Sequence, residues 1–185
     1  MSTESRKPNP SYVGAREDLL SLVPAGCRRV INVGCAEGAT GAKLKERARD
    51  TNVTGIEFDE RMAAVARERL DRVIVADATV ALTKLAAAGE EFDLVFCGDV
   101  LEHLTDPWET LRTIRKICPD GYLIVSLPNV AHISTIRTLV FDHYWPYRER
   151  GIHDRTHLRF SAGKTLTSCL IKPASKSSTA SITIG

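Results

Sequence analysis

Between residues 28 and 128, short apolar segments alternate with longer segments of helical character. Each apolar segment has the length of a buried strand, and each helical segment is long enough to return the chain to the start of the next strand. This alternation is typical of a parallel sheet covered by helices on both faces. The predicted strands lie in RRVINVG, NVTGIEFD, RVIVADA, FDLVFCGDV and GYLIVSLPN. The sequence therefore predicts an α/β, Rossmann-like fold.

The composition fits a globular domain and argues against two kinds of partner. The chain has 185 residues, of which 43% are hydrophobic, and its formal net charge is +2. This balance gives no overall attraction to nucleic acid. No apolar run approaches the roughly 20 residues that span a bilayer, and the first ten residues lack the apolar core of a secretory signal. We expect a cytoplasmic protein with no nucleic-acid partner and no membrane span.

Changes in character along the chain predict its domain organisation. Residues 1–10 are polar and are expected to form a flexible tail, followed by one domain over residues 11–171. Within it, residues 128–160 are rich in histidine, aromatic residues and arginine, and are predicted to form a substrate-binding or lid segment. Residues 172–185 are rich in serine and threonine and are expected to be disordered.

A glycine-rich turn, VINVGCAEGATG at residues 30–41, joins the first strand to the first helix. Gly34 and Gly38 permit backbone angles and close approaches that a side chain would block. The turn lacks the Gly-x-Gly-x-x-Gly spacing of dinucleotide sites, because Ala36 stands where the second glycine would be. This disfavours a dinucleotide-dependent oxidoreductase, although the turn by itself could be an ordinary tight turn.

Acidic residues end three successive predicted strands: Glu57, Asp77 and Asp99. Parallel strands with right-handed crossovers place these ends on one edge of the sheet. Any one acid alone is better explained as a helix N-cap or an exposed turn. Together they predict a nucleoside site, in which Glu57 accepts hydrogen bonds from a ribose diol and Asp77 accepts from an adenine amino group.

Four segments of the sequence resemble the class I S-adenosylmethionine-dependent methyltransferases. They are NVGCAEG, GIEFDERM, VADA and FDLVFCGDVLEHLTDP. The resemblance covers residues 28–128 and extends more loosely to Phe160. It implies the cofactor S-adenosylmethionine, with S-adenosylhomocysteine as product. Members of the family often have an acidic residue in place of Asn32 and a glycine in place of Ala36. Carried onto this sequence, the implied cofactor-binding residues are Gly34, Cys35, Ala36 and Gly38 at the methionine moiety, Glu57 at the ribose, Phe58, Asp77 and Ala78 at the adenine, and Asp99 near the amino group and the methyl group.

His103 follows the fourth strand, close to where the resemblance places the transferred methyl group. As a general base it could take a proton from the acceptor. The alternative is that it packs or caps a turn.

Metal ligation is disfavoured. His153, Asp154 and His157 stand close together in GIHDRTHLRF, but further oxygen or sulfur ligands are lacking nearby. An ordered loop in which Asp154 pairs with Arg155 or Arg159 is the favoured interpretation. The five cysteines form no CxxC pair, so neither a zinc site nor a disulfide framework is expected.

Methyl transfer to a hydroxyl of a small molecule or sugar is the predicted function, with an amine acceptor second. The fourth strand lacks the Asn-Pro-Pro-Tyr/Phe run of adenine and glutamine N-methyltransferases, and GIHDRTHLRF resembles a segment of bacterial enzymes that methylate small molecules or sugars. The alternatives are a cofactor-binding module or truncated enzyme without catalysis, and, further off, a dinucleotide-dependent oxidoreductase.

The family normally adds two antiparallel strands after the fifth strand. Here only SITI, near the end of the chain, alternates as a strand does, so the antiparallel strands are expected to be incomplete. The edge of the strand over residues 122–127 would then need a cover: a partner subunit, as in a homodimer through this edge, or the lid segment.

Overall fold

The computed structural model describes residues 14–162 and the backbone of residues 180–184. Strands and helices alternate from residue 29 onward, as predicted. The strands are β1 (Arg29–Val33), β2 (Asn52–Glu57), β3 (Arg72–Val75), β4 (Leu94–Gly98), β5 (Tyr122–Leu127) and β6 (Ala180–Ile184). The helices are α1 (Glu17–Leu20), α2 (Ala39–Arg47), α3 (Glu60–Ala66), α4 (Ala78–Ala87), α5 (Pro107–Ile117) and α6 (Ile133–Phe141).

The strands form one sheet in the order β3-β2-β1-β4-β5-β6, and every pairing is parallel. Side chains that alternate along each strand enter two separate cores. Ile31 and Val95 pack with α4 and α5 on one face, whereas Val30 and Leu94 pack with α1, α2 and α3 on the other. The predicted Rossmann-like sheet with helices on both faces is confirmed.

The order of connection reverses between β1 and β4, which are neighbours in the sheet. At such a switch point the two following loops diverge to opposite faces and leave a crevice beyond the carboxyl ends of the strands. The glycine-rich turn after β1 and Asp99 after β4 flank this crevice. The fold therefore places the glycine-rich turn and Asp99 at the position where α/β sheets bind ligands.

The C-terminal segment differs from expectation. Residues 180–184 form β6 in parallel register with β5, from Leu123 opposite Ala180 to Leu127 opposite Ile184, where a disordered tail was expected. The free backbone groups of an edge strand provide the partner that this short, strand-like run needs. β6 thus covers the edge of β5 and itself becomes the outermost strand of the sheet, and a homodimer stays a prediction. The rest of the predicted tail, like residues 1–10, lies outside the described residues.

The predicted lid segment begins with α6, after which the chain to residue 162 is irregular. An isolated bridge between Asn129 and Ser161 brings the two ends of this segment together. Among the described residues, no helix combines the length and the hydropathy that crossing a bilayer requires.

Candidate functional site

The glycine-rich turn is held against β1, β2 and β4 by close approaches. Gly34 has φ +67°, and a Cβ atom there would lie 2.6 Å from Cγ2 of Val100. The Cys35 amide donates to the carbonyl of Ile56 at 2.9 Å, which ties the turn to β2. Gly38, with φ +77°, opens α2. Only glycine meets both demands at Gly34, a positive φ and a close approach.

Ala36 occupies the position where a third glycine is common in the family, yet it also has a positive φ, +48°. Its amide donates to Oε2 of Glu57 at 2.8 Å. A non-glycine residue in this left-handed region is uncommon, and such strain clusters at ligand-binding sites. The hydrogen bond to Glu57 stabilises the unusual backbone conformation.

Glu57, at the end of β2, is half-buried and joins the glycine-rich turn to the start of the next loop. Oε2 accepts from the Ala36 amide, and Oε1 accepts from the amides of Phe58 and Asp59, each at 2.9 Å. The carboxylate is thus fixed beside the turn, and one lone pair of Oε2 remains to accept a further hydrogen bond.

Asp77 is the N-cap of α4, which is the ordinary structural role of an acid at a strand end. Its Oδ1 accepts from the amides of Thr79 at 2.9 Å and Val80 at 3.2 Å. The cap leaves Oδ2 for another donor. Ala78 is the first residue of α4, and the Phe58 side chain is 79% exposed near this edge of the sheet.

Asp99 lies just after β4 with φ +53°, and both of its oxygens already have partners. Oδ2 pairs with the Arg16 guanidinium, and Oδ1 accepts from the Ser126 hydroxyl. Arg16 also donates to Ser126 Oγ at 3.1 Å, which closes a three-residue network. Sequence reasoning missed Arg16 and Ser126. A serine near the end of an otherwise apolar strand was a signal for Ser126, whereas no motif marks Arg16.

An open cleft lies at the switch point between β1 and β4. Four of the predicted cofactor-binding residues line it, whereas Gly38, Glu57, Phe58, Asp77 and Ala78 do not. Glu57 nevertheless joins the cleft wall through its hydrogen bond to Ala36. The lining residues are Gly14, Arg16, Asn32, Gly34, Cys35, Ala36, Ala39, Thr40, Phe96, Gly98 and Asp99.

Cys35 is the one thiol in the wall of this cleft. Burial, with the nearby Glu57 charge, raises its pKa to about 12. The side chain is therefore a neutral thiol at physiological pH and provides packing rather than a thiolate nucleophile.

A second group, the histidine cluster, consists of Glu102, His103 and His157. A short 3-10 turn, Leu101–His103, places the first two just beyond Asp99. Glu102 is 1% exposed, and neither of its carboxylate oxygens has a hydrogen-bond partner among the other described residues. Its Oε1 lies 4.0 Å from Nε2 of His157, and burial raises the pKa of Glu102 to about 8.

Hydrogen bonds from the lid segment determine which nitrogen of His103 carries its proton. Nδ1 of His103 lies 3.3 Å from the Thr156 carbonyl and 3.2 Å from its hydroxyl oxygen. The Thr156 hydroxyl donates its only proton to Oδ1 of Asp154 at 2.7 Å. Both oxygens of Thr156 can therefore only accept, so Nδ1 of His103 is the donor and Nε2 carries the lone pair.

The predicted pairing of Asp154 with Arg155 or Arg159 is wrong. Asp154 accepts instead from the amide and hydroxyl of Thr156, because this tight turn satisfies the carboxylate locally. Arg155 pairs with Glu149 at 2.9 Å, and Arg159 donates to the Thr105 carbonyl at 2.8 Å.

The three residues weighed as metal ligands are not assembled around one point. His153 packs edge-on against Trp145, with ring centroids 4.8 Å apart, and only His157 reaches the histidine cluster. Sequence reasoning missed Glu102, which lies beside His157 in the histidine cluster. The position of Glu102 next to His103 in the sequence was a signal for it.

Comparison with known proteins identifies related sequences. Residues 31–123 match a protein family described as "Methyltransferase domain". A "Ubiquinone biosynthesis O-methyltransferase" of Stutzerimonas stutzeri (strain A1501) is 33% identical over 130 residues, covering 65% of this chain and 52% of that protein. A "Trans-aconitate 2-methyltransferase" of Delftia acidovorans is 29% identical over 125 residues, covering 66% of this chain and 46% of that protein. The chain spans about half the length of these curated relatives.

Solved structures agree with the fold. The plantazolicin methyltransferase BpumL, in complex with a triazolic desmethylPZN analog and SAH, superposes with a TM-score of 0.60 at 15% identity. The match covers 83% of this chain and 58% of that one. At this level of identity the likeness concerns the fold alone.

Proposed function

Because this chain belongs to the methyltransferase domain family, in its class I, S-adenosylmethionine-dependent form, we propose that it transfers the cofactor's methyl group to a hydroxyl of a small molecule or sugar. The name of the ubiquinone biosynthesis relative specifies an oxygen acceptor, which supports the hydroxyl. The cytoplasmic location and the sugar or small-molecule class of the acceptor are parts of the same proposal.

The observation that carries the proposal is the hydrogen bond from the Ala36 amide to Glu57. It joins the turn after β1 to the acid that ends β2, at the switch point of the sheet. A turn that served only to reverse the chain would need neither a strained alanine nor a carboxylate fixed beside it. Both features suit a site that receives a nucleoside with its ribose facing Glu57.

We assign the cofactor's parts to the residues along this edge. Glu57 accepts from the ribose hydroxyls, and Asp77 accepts from the adenine amino group with Oδ2, the oxygen that its helix cap leaves free. Phe58 packs on the adenine ring, and Ala78 contributes its backbone. The turn over residues 34–38 lines the methionine moiety.

At the methionine end, Asp99 provides the negative charge that the cofactor's ammonium group requires. Its carboxylate is paired with Arg16, so a bound ammonium group would compete with that guanidinium. Arg16 is 30% exposed in its side chain and also pairs with Asp18 at 2.8 Å, which gives it an alternative partner when it releases Asp99.

The cofactor supplies an electrophilic sulfonium methyl, so the protein's main task is to align the acceptor oxygen in line behind it. The oxygen–carbon bond forms as the carbon–sulfur bond breaks, and the hydroxyl proton must leave. We assign the activation of this hydroxyl to His103. Its Nε2 carries a lone pair because Thr156 fixes the proton on Nδ1, and Asp154 fixes Thr156. In the simplest form, Nε2 takes the proton itself.

Two measurements on the full chain test the proposal. Calorimetry with S-adenosylmethionine and S-adenosylhomocysteine tests binding, and formation of S-adenosylhomocysteine with a panel of sugars, phenols and amines tests transfer. We expect binding of both ligands and turnover that depends on a hydroxyl acceptor. Binding without turnover on any acceptor would favour a cofactor-binding module, and absence of binding would contradict the proposal.

A further inference from the structure

We propose that Glu102, His103 and His157 bind one divalent transition-metal ion. The binding itself is independent of the proposed function, whereas the role of the ion in activating the acceptor rests on it. The sequence alone predicts no metal site, because Glu102 stands 55 residues before His157 in the chain and only the fold brings them together.

The three side chains converge on one point. One potential ligand atom from each lies within 4.8 Å of the other two. Glu102 is buried, and within the part of the chain that the structure describes no other residue bonds either of its oxygens. A buried carboxylate without a partner is costly, and a cation or a proton beside it removes that cost.

Both imidazoles present a lone pair rather than a proton. Thr156 holds the proton of His103 on Nδ1. His157 Nδ1 lies 3.2 Å from the Ile152 carbonyl, which can only accept, so its Nε2 carries the lone pair 4.0 Å from Glu102 Oε1. Ligating histidines commonly donate their other ring N–H to a carbonyl or carboxylate in this way.

A proton shared between Glu102 and His157 would satisfy the carboxylate, but it would leave His103, which is partly exposed, outside the interaction. One cation satisfies the carboxylate and both Nε2 atoms at once. Because metal–ligand bonds of about 2.0–2.2 Å bring two ligand atoms closer together than 4.8 Å, binding of the ion requires side-chain movement.

The donor set identifies the class of ion. Two imidazole nitrogens and one carboxylate oxygen favour Zn²⁺, Co²⁺ and their neighbours over Mg²⁺ and Ca²⁺, which prefer oxygen ligands throughout. Three protein ligands leave a coordination position for a further oxygen.

This position suits an acceptor hydroxyl. The cluster follows Asp99 directly through the 3-10 turn, so it lies beside the end of the cleft assigned to the methyl group. A hydroxyl bound to the cation has a lowered pKa and releases its proton to solvent. His103 would then activate the acceptor by holding the cation instead of taking the proton.

Titration of the metal-free full chain with Co²⁺, without affinity-tag histidines and without cofactor, tests the site. We expect one equivalent to bind, with visible d–d absorption bands typical of nitrogen and oxygen ligands. Zn²⁺ should displace it, and excess Mg²⁺ should not. Glu102→Gln and His157→Gln should each weaken Co²⁺ binding by about 10-fold or more.

His143→Ala is the matched control, because His143 is exposed and outside the cluster. It should bind Co²⁺ as the wild type does. Because Glu102 is buried and its variant could misfold, His103→Gln, at a more exposed position, provides a second test, with folding checked by circular dichroism. No Co²⁺ binding by the wild type, or equal binding in Glu102→Gln, His157→Gln and His103→Gln, would overturn the site. Cofactor binding measured separately shows whether the proposed function survives that outcome.

Discussion

At the scale of single residues, the cleft depends on two carboxylates in different environments. Among the described residues Glu57 accepts from three backbone amides and forms no ion pair, which leaves one lone pair of Oε2 for a ligand. Asp99 is neutralised by Arg16 before any ligand arrives. The first is arranged to bind a neutral diol, and the second to exchange one cation for another.

Glu57→Ala should weaken binding of S-adenosylhomocysteine by about 10- to 100-fold, since hydrogen bonds to a charged group contribute roughly 1.5–3 kcal/mol. Calorimetry measures the change. Glu46→Ala removes an exposed glutamate on α2 that pairs only with Lys43, and should leave affinity unchanged. Unchanged affinity in both Glu57→Ala and Asp77→Ala would contradict the assigned nucleoside site.

His103→Ala should lower kcat by about 100-fold and leave cofactor affinity nearly unchanged, because His103 lies beyond the carboxylates assigned to the nucleoside. Steady-state kinetics and calorimetry measure the two effects separately. The exposed His143→Ala provides the control for loss of an imidazole. If His103→Ala has the kcat of the wild type across the pH range, His103 is not a general base and only packs or caps a turn.

At the scale of elements, the turn between β1 and α2 imposes two constraints on Gly34: a positive φ and a close approach to Val100. Variants can separate the two. Gly34 and Gly89 both have positive φ, +67° and +68°, but a Cβ atom meets nothing within 4 Å at Gly89 and lies 2.6 Å from Val100 at Gly34. Gly89 thus tests the backbone conformation alone.

Gly89→Ala should lower the free energy of unfolding by about 1–2 kcal/mol, the strain of a left-handed residue. Gly34→Ala should lower it by about 2–4 kcal/mol, since overpacking is added. Urea denaturation gives both values. Equal losses would mean that the turn moves away from Val100 at no cost.

Asp59 is the N-cap of α3, and its charge is stabilised by the Arg61 side chain and by the Arg61 amide. These hydrogen bonds lower the pKa of Asp59 to about 2. The folded state thus binds the proton less tightly than the unfolded chain, so the stabilisation is complete above the ordinary pKa of 3.8 and is lost as pH falls towards 2.

Asp59→Asn keeps an N-capping side chain but removes this charge. The difference in unfolding free energy between wild type and variant should be present at neutral pH and shrink as the pH falls below about 4. Urea denaturation across this range measures it. Asp50→Asn, an equal change of charge at an exposed turn, is the control. A difference that does not vary with pH would show that the Asp59 charge contributes nothing.

At the scale of the whole molecule, β6 determines which strand lies at this edge of the sheet. β6 pairs with β5 along its length and covers the backbone groups there. Removal of residues 180–185 should expose β5 and so increase amide hydrogen exchange over residues 122–127 and promote self-association.

Hydrogen exchange with mass spectrometry and analytical ultracentrifugation test this. Ile182→Val, which keeps a β-branched residue, should behave as the wild type. If the shortened chain shows the same protection and remains monomeric, the pairing of β6 with β5 does not persist in solution.

Much of the fold and part of the site could be predicted because the signals are local. The strand–helix alternation and the turn over residues 34–38 each lie within one segment, where periodicity and backbone preferences act. Placement of Glu57 and Asp99 at one edge then follows from the handedness of parallel connections. These features are what the sequence by itself determined.

Only the tertiary structure decided the pairings between distant segments. Arg16 meets Asp99 from 83 residues away, and His103 meets Thr156 across 53 residues. Such contacts depend on how helices and loops pack around the completed sheet, and no spacing within a segment encodes them. The same holds for β6, whose SITI run alternates as a strand does but lies in a tail that was expected to be disordered. It becomes a strand because β5 offers an edge whose backbone groups need a partner.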